Sequence, residues 1–307
     1  MSDFPKNLIQ ADDLNSEHLK LIFDKAKYFE DNFTNTIQNG EHFPDLKGRT
    51  VALAFFENST RTRNSFELAA KRLSSDVLNF SANQSSLAKG ESIADTIRTI
   101  DAMMVDIYVV RNQYNGTPAF IASITNNIVV NAGDGKHEHP TQAILDAYTI
   151  LKHYGKVDGL NVSIIGDIIN SRVARSNITM LRTLGADVKL FGPGTLLPRH
   201  LNCWNAPIHD NINDAIEWSD VIILLRIQNE RMDSGLLPSI SEYVKFYQIN
   251  VANFAKKDKI ILLHPGPVNY GVELEHNASK LHNSMIDRQV TNGVFTRMAV
   301  LSLLANR

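Results

Sequence analysis

Eight short runs of apolar, largely β-branched residues, each followed by a helical pattern, constrain the fold of this chain more than any other feature. In the first half they are 51–56 (VALAFF), 76–80 (DVLNF), 106–110 (DIYVV) and 127–131 (NIVVN). In the second half they are 161–166 (NVSIIG), 187–191 (DVKLF), 220–225 (DVIILL) and 259–263 (KIILL). Continuously apolar runs, unlike alternating ones, suit strands covered on both faces of a parallel sheet. Alternation of strands with helices argues an α/β class. Four runs fall on each side of a helical segment near 140–153. The expectation is therefore two similar three-layer α/β domains, each with a mostly parallel sheet, joined by interdomain helices. The first would comprise residues 1–138 plus the C-terminal helix 290–307, and the second residues 150–288. Within that last helix, roughly 292–306, Val294, Met298, Leu301 and Leu304 form a packing stripe.

A length of 307 residues exceeds one comfortable core, which agrees with two domains. The formal net charge of −2 gives nucleic acid or an anionic membrane no global attraction, so any basic site must be local. The single cysteine, Cys203, excludes an internal disulfide and a cysteine metal cluster, and it fits a reducing compartment. The opening MSDFPKNLIQ has no apolar signal core, and no run approaches membrane-spanning length. The expectation is a cytoplasmic protein.

The segment Ser59-Thr60-Arg61-Thr62-Arg63 follows the first apolar run and opens a helix whose apolar face is Phe66, Ala69, Ala70 and Leu73. At a helix start the first N–H groups lack partners and the macrodipole is positive, so an anion is stabilised there. Arg61 adds a planar fork of donors suited to phosphate oxygens. An ordinary cap would account for one hydroxyl. It would not account for two arginines in the first turn, where cations oppose the dipole. Phosphate binding is the stronger reading.

The other motifs carry less taken singly. In His139-Pro140-Thr141-Gln142, Pro140 suits the first helical position, which places His139 at the cap and Gln142 one turn on. A polar ligand site and a plain structural cap are equally good readings of that motif. Arg111 directly follows the strand DIYVV and could face an oxyanion, although a surface salt bridge is the commoner use of a lone arginine. Asn170-Ser171-Arg172-Val173-Ala174-Arg175 again puts arginine at a helix start, with Ala174, Ile178 and Leu181 as its apolar stripe and Gly185 as its stop. In Arg226-Ile227-Gln228, i and i+2 point the same way in an extended chain, so guanidinium and amide could clamp one carboxylate. His264-Pro265-Gly266-Pro267 is a turn stripped of amide donors, and by itself it reads as a rigid turn. Lys89 lies in the polar loop SANQSSLAKGE at 81–91, where a solvated lysine is the simplest account; the helix after that loop has Ile93, Ile97, Ile100 and Met104 as its stripe. The dinucleotide pattern G-x-G-x-x-G is absent, as are metal-ligand spacing, paired carboxylates and a nucleophile with a placed base. No metal and no cofactor are expected. The chemistry available to such a set is electrostatic: bind anions, polarise a carbonyl and position an attacking group.

Taken together, these motifs resemble the aspartate/ornithine carbamoyltransferase family along nearly the whole chain. The markers are STRTR at 59–63, SLAKGE at 86–91, Arg111, HPTQ at 139–142, SRVARSN at 171–177, RIQNERMD at 226–233, HPGPVN at 264–269 and NGVFTRMAVL at 292–301. RIQ with HPGP points to the aspartate branch. The H-C-L-P cysteine and serine-methionine-glycine segment of ornithine enzymes do not occur here. The resemblance implies transfer of the carbamoyl group of carbamoyl phosphate to the amino group of L-aspartate, the second step of de novo pyrimidine biosynthesis. It implies that Ser59, Thr60, Arg61 and Thr62 hold the phosphate. Thr62, Arg111 and His139 would meet the carbamoyl oxygen and Gln142 the carbamoyl nitrogen. Arg172, Arg226 and Gln228 would bind the aspartate carboxylates, and the Gly266 carbonyl, before Pro267, would orient the amines. Lys89 and a serine, Ser85 or Ser86, would enter from a neighbouring subunit of a homotrimer with shared active sites. Whether regulatory chains join that trimer is left open by the residues.

Two other readings compete. A carbamoyltransferase for ornithine or an acylated ornithine would face fewer carboxylates, and the set Arg172, Arg226 and Gln228 argues against it. A non-catalytic anion-binding regulatory subunit would have no use for groups that polarise a carbonyl. Nucleic-acid and membrane partners are not expected, since the chain has no exposed aromatic–basic stripe.

Overall fold

The computed structural model of the chain describes residues 4–81, 92–199, 204–227, 239–254, 257 and 259–307. Ser85, Ser86, Lys89, Cys203 and Gln228 lie outside the described residues. The chain divides into two compact units, Met1–Leu145 with Thr291–Arg307, and Asp146–Val290.

The first unit is built on β1 (Thr50–Phe55), β2 (Asp76–Ser81), β3 (Ile107–Asn112) and β4 (Ile128–Asp134). These strands form one sheet in the order β2-β1-β3-β4, with every neighbouring pair parallel. β1 is buried beyond Thr50, and β4 is buried throughout. Continuously apolar strands require such two-sided cover. The helices of this half are α1 (Ser16–Gln38), α2 (Thr60–Arg72), α3 (Ile93–Asp101), α4 (Thr117–Ile124) and α5 (Pro140–Tyr154). Ala52 and Ala54 of β1, Tyr108 and Val110 of β3, and Ile97 and Ile100 of α3 belong to one core.

The second unit repeats the plan. β5 (Asn161–Ile165), β6 (Asp187–Phe191), β7 (Val221–Leu224) and β8 (Ile261–Leu263) pair in the order β6-β5-β7-β8, again all parallel. Its helices are α6 (Arg172–Thr183), α7 (Ile212–Trp218), α8 (Ile240–Tyr247) and α9 (Val251–Phe254), and α10 (Ile286–Ala305) ends the chain. Ile165, Ile222, Leu224 and Leu262 pack with Ile216 of α7 and Phe254 of α9. In both sheets the strand order changes direction next to the first strand, between β1 and β3 and between β5 and β7. Open α/β sheets bind ligands beyond the strand carboxyl ends at such a switch point.

Three local expectations are corrected. α3 closes at Asp101, so Met104 does not join its stripe; that residue adopts φ 63° and is 83% exposed. The C-terminal helix begins at Ile286, not near 292. Gly293 weakens a helix on propensity alone, which favours a boundary beside it. In the fold it is a close-packing position: a Cβ there would lie 2.8 Å from Arg297 Nη1 and 3.1 Å from Leu145 Cδ2. β3 runs on through Asn112, so Arg111 is a strand residue paired with Phe55.

Candidate active site

In the first unit, β1 delivers the chain to Glu57 and the start of α2. The helix is anchored by Phe66, Ala69 and Ala70, all fully buried, and full burial of a Phe side chain contributes roughly 1.5–3 kcal/mol. That leaves Thr60 and Arg61 exposed on the first turn. Ser59 has the extended backbone of an N-cap, φ −157° and ψ 101°, yet its side chain makes no capping hydrogen bond. The other serine caps behave differently. Ser92 accepts from Asp95 N–H, Ser171 from Ala174 N–H and Ser239 from Glu242 N–H. α2 therefore opens without a side-chain cap on its first amides, and a helix start in that state stabilises an anion.

Arg111 joins this turn from the next strand. Its Nε donates to Glu57 Oε1 at 2.7 Å, and its Nη1 donates to the Ala132 carbonyl at 3.2 Å and faces Thr62 Oγ1 at 3.3 Å. The guanidinium is thus in a salt bridge with Glu57 and also reaches α2 at Thr62. Glu57 was not singled out in the sequence. Its signal is positional, a carboxylate just past β1 whose partner strand ends in an arginine.

His139 and Gln142 come from β4 and α5. The loop between is tied by buried Asp134. Its Oδ1 accepts from Asn131 Nδ2 at 2.9 Å and from Glu138 N–H at 3.1 Å; its Oδ2 accepts from Gly116 N–H at 2.7 Å. Asp134 N–H donates to the Glu138 carbonyl, closing the loop on itself just before His139. The His139 carbonyl accepts from Gln142 and Ala143 N–H, so it starts the helix, and both side chains are buried. Asp134 is a second residue that sequence reading passed over.

In the second unit, Asn170 Nδ2 donates to Asp167 Oδ1 at 2.9 Å and Ser171 caps α6, which sets Arg172 as its first residue, only 5% exposed. Arg175, the other arginine of this motif, stacks on Trp204 with its guanidinium 4.4 Å from the ring centroid. Packing of that kind gives Arg175 a framework contact. β7 ends at Leu224, and the buried Leu225 and Ile227 flank Arg226, which keeps part of its surface exposed. Ile227 packs with Leu196 and Tyr243, as the spacing requires. Burial pushes the Tyr243 hydroxyl well up from its ordinary range, with Glu273 and Asp167 adding to it.

The turn after β8 is organised by buried His264. Its Nδ1 accepts from Gly266 N–H at 2.8 Å, which places the proton of the neutral ring on Nε2, 3.4 Å from Oε1 of the fully buried Glu273. Asn269 N–H donates to the same oxygen at 2.6 Å. Gly266 has φ +66°, a conformation open to glycine at little cost, and its bond to Pro267 is cis. Since its N–H is taken by His264, the carbonyls are what this turn offers to a ligand.

Six of the motifs occupy corresponding places in the two units. β1 leads to Ser59–Thr62 and β5 to Arg172; β3 carries Arg111 one residue before its end and β7 is followed by Arg226; β4 leads to His139 and β8 to Gly266. Residues 6–152 match the carbamoyl-P binding domain of aspartate/ornithine carbamoyltransferase, and residues 158–304 match its Asp/Orn binding domain. The chain belongs to the aspartate/ornithine carbamoyltransferase family. Within the family it is 48% identical over 300 residues to the aspartate carbamoyltransferase catalytic subunit of Halothermothrix orenii, covering 97% of this chain and 93% of that one. The catalytic subunit from Carboxydothermus hydrogenoformans is 47% identical over 302 residues, with coverage of 98% and 96%. Among solved structures, aspartate transcarbamoylase of Trypanosoma cruzi with N-(phosphonacetyl)-L-aspartic acid superposes with a TM-score of 0.87 at 32% identity, over 98% of this chain and 96% of that one. The catalytic subunit of M. jannaschii aspartate transcarbamoylase superposes with a TM-score of 0.84 at 32% identity, over 98% of each chain. The family's fold, two α/β domains with parallel sheets, is the fold described above.

Among the described residues, no helix is long and apolar enough to cross a membrane.

Proposed function

We propose that this chain is an aspartate carbamoyltransferase, which transfers the carbamoyl group of carbamoyl phosphate to L-aspartate and releases N-carbamoyl-L-aspartate and phosphate. The observation that carries the reading is the start of α2. Ser59 does not cap its own helix, Thr60 and Arg61 stand exposed, and Arg111 reaches Thr62 from the adjacent strand. The names of the relatives agree with it.

On this reading the first unit is the carbamoyl-phosphate domain and the second the aspartate domain. Ser59, Thr60, Arg61 and Thr62 hold the phosphate. Thr62, Arg111 and His139 take the carbamoyl oxygen and Gln142 the nitrogen. Arg172 and Arg226, with Gln228, take the two carboxylates of aspartate, and the Gly266 carbonyl accepts from an amine. The amino nitrogen of aspartate attacks the carbamoyl carbon. A C–N bond forms, the C–O bond to phosphate breaks, and the proton lost by the amine goes to an oxygen of the departing phosphate. Arg111, His139 and Thr62 stabilise the tetrahedral oxyanion; removal of one such donor costs about 3–4 kcal/mol of barrier. Lys89 would complete the site from a neighbouring subunit of a homotrimer, and the single cysteine fits a cytoplasmic enzyme.

The deciding assay supplies carbamoyl phosphate with either L-aspartate or L-ornithine and quantifies carbamoyl-aspartate and citrulline. Carbamoyl-aspartate is the expected product. Citrulline alone, or no product from either amine, overturns the reading.

A further inference from the structure

A buried chain of side-chain hydrogen bonds links the HPGP turn to α6 within the second unit. His264 N–H donates to Gln289 Oε1 at 2.8 Å, and Gln289 Nε2 donates to Asp146 Oδ1 at 2.7 Å. Asp146 Oδ2 accepts from Asn177 Nδ2 at 2.9 Å. Asn177 Nδ2 also donates to the carbonyl of Val173, the residue next to Arg172, at 3.1 Å. All four side chains are buried, and Asp146 and Asn177 are wholly so.

The polarity of this chain has one solution. The Gln289 amide must give its oxygen to a peptide N–H and its nitrogen to a carboxylate. Asn177 must likewise give its nitrogen to both of its acceptors. A buried carboxylate that loses a donor is strongly disfavoured, so the links hold one another in place. The two ends matter because the proline-flanked HPGP turn has few amides with which to anchor itself. Its first amide, that of His264, is held by Gln289.

We propose that Gln289, Asp146 and Asn177 are positioning residues for the amino-acid substrate: they register the HPGP turn, and with it the Gly266 carbonyl, against the first turn of α6 that carries Arg172. The proposal rests on the reading of Arg172 as an aspartate-binding group and of the Gly266 carbonyl as the group that orients the amines, that of carbamoyl phosphate included. All three are buried, so the role assigned to them is exerted through the turn and the helix.

The test exploits the single allowed polarity. Gln289→Glu sets two carboxylates against each other. Asp146→Asn sets an amide donor against an amide donor. The double variant reverses one link and restores the three pairings of this chain: the introduced carboxylate accepts from the His264 amide and from the introduced amide, whose oxygen accepts from Asn177. Each single variant is expected to raise KM for aspartate by about tenfold or more, with a smaller loss of carbamoyl-phosphate affinity, because a hydrogen bond to a charged group is lost and Arg172 meets aspartate alone. The double variant is expected to return KM to within about threefold of the parent, as coupled sites do. Should Gln289→Glu fail to fold, Asp146→Asn and Asn177→Ala each carry the same KM expectation, and the double variant remains the rescue. Single variants with a lowered melting temperature and an unchanged KM, or a double variant no better than the worse single one, overturn the positioning role. A parent enzyme inactive towards aspartate in the same assay overturns the functional reading first.

Discussion

Arg111 and Glu57, 54 positions apart in sequence, are joined by a 2.7 Å hydrogen bond between Nε and Oε1. The parallel register of β1 and β3 pairs Phe55 with Arg111, and Phe56 N–H donates to the Arg111 carbonyl, so the carboxylate meets the guanidinium where the two strands end. A planar fork held on one edge has lost most of its rotamer freedom, so its remaining donors are aimed before any ligand arrives. Glu57→Gln keeps the shape and removes the charge. The expected result is a fall in kcat/KM of about ten- to hundredfold, the worth of one charge-assisted hydrogen bond. Steady-state kinetics at saturating carbamoyl phosphate would measure it, and a normal rate would show that Arg111 needs no such partner.

Arg61 is exposed on the first turn of α2 while the buried face of that helix is Thr62, Phe66, Ala69 and Ala70. Removing the side chain should cost little stability and much turnover. Arg61→Ala is expected to lower kcat by at least about a hundredfold, as loss of a donor to a charge in transit does. Circular dichroism and melting temperature should be near those of the parent. An unfolded variant would mean that structure had been mistaken for chemistry.

Arg226 belongs to the second unit and Arg61 to the first. Arg226→Ala should therefore raise KM for aspartate by about a hundredfold, the equivalent of a charge-assisted contact, and leave carbamoyl-phosphate binding nearly intact. Calorimetric titration of each ligand would separate the two. Equal loss of both would contradict the division of labour.

His209, outside the proposed site, sets a pH dependence of stability. Burial, reinforced by Lys189, lowers its pKa to about 4 against an ordinary 6.5, with Asp214 and Asp210 acting the other way. Its Nε2 lies 2.8 Å from Ser163 Oγ. The unfolded chain binds this proton more readily, so the stability from a neutral His209 is complete above pH 6.5 and is lost as pH falls towards 4. The slope in that window should reach about 1.4 kcal/mol per pH unit for one proton. His209→Gln, which can keep a hydrogen bond to Ser163, should flatten it. Urea melts at several pH values would show the slope, and identical slopes in both proteins would refute the assignment.

The shared-site trimer makes a mixing prediction. Lys89→Ala and His139→Ala proteins should each be nearly inactive. Dissociated together and reassembled, they should regain activity, since a Lys89→Ala chain keeps its own His139 and borrows an intact Lys89 from its neighbour. Each mixed ring then has one complete site, about a third of the normal number. If mixed trimers form and stay inactive, Lys89 serves its own chain.

What the amino-acid sequence determined by itself is the eight strands, the helices at its motifs and the strand ends at which those motifs gather; the long helix α1 was not among them. Continuous apolar runs such as 220–225 and 259–263 can satisfy neither a solvent-exposed strand nor a loop, and arginine or a proline-led helix start after such a run is a local signal. That is why STRTR, HPTQ, Arg172, Arg226 and HPGP could be placed before any strand was paired. The tertiary structure alone decided which of these groups have partners. It put Glu57 against Arg111, stacked Arg175 on Trp204, left the Ser59 side chain without a capping hydrogen bond, and ran Gln289 to Asp146 across 143 positions. Strand and helix formation depend on neighbours in the chain, whereas a side-chain hydrogen bond depends on register and direction across the fold, which only the packed sheet supplies.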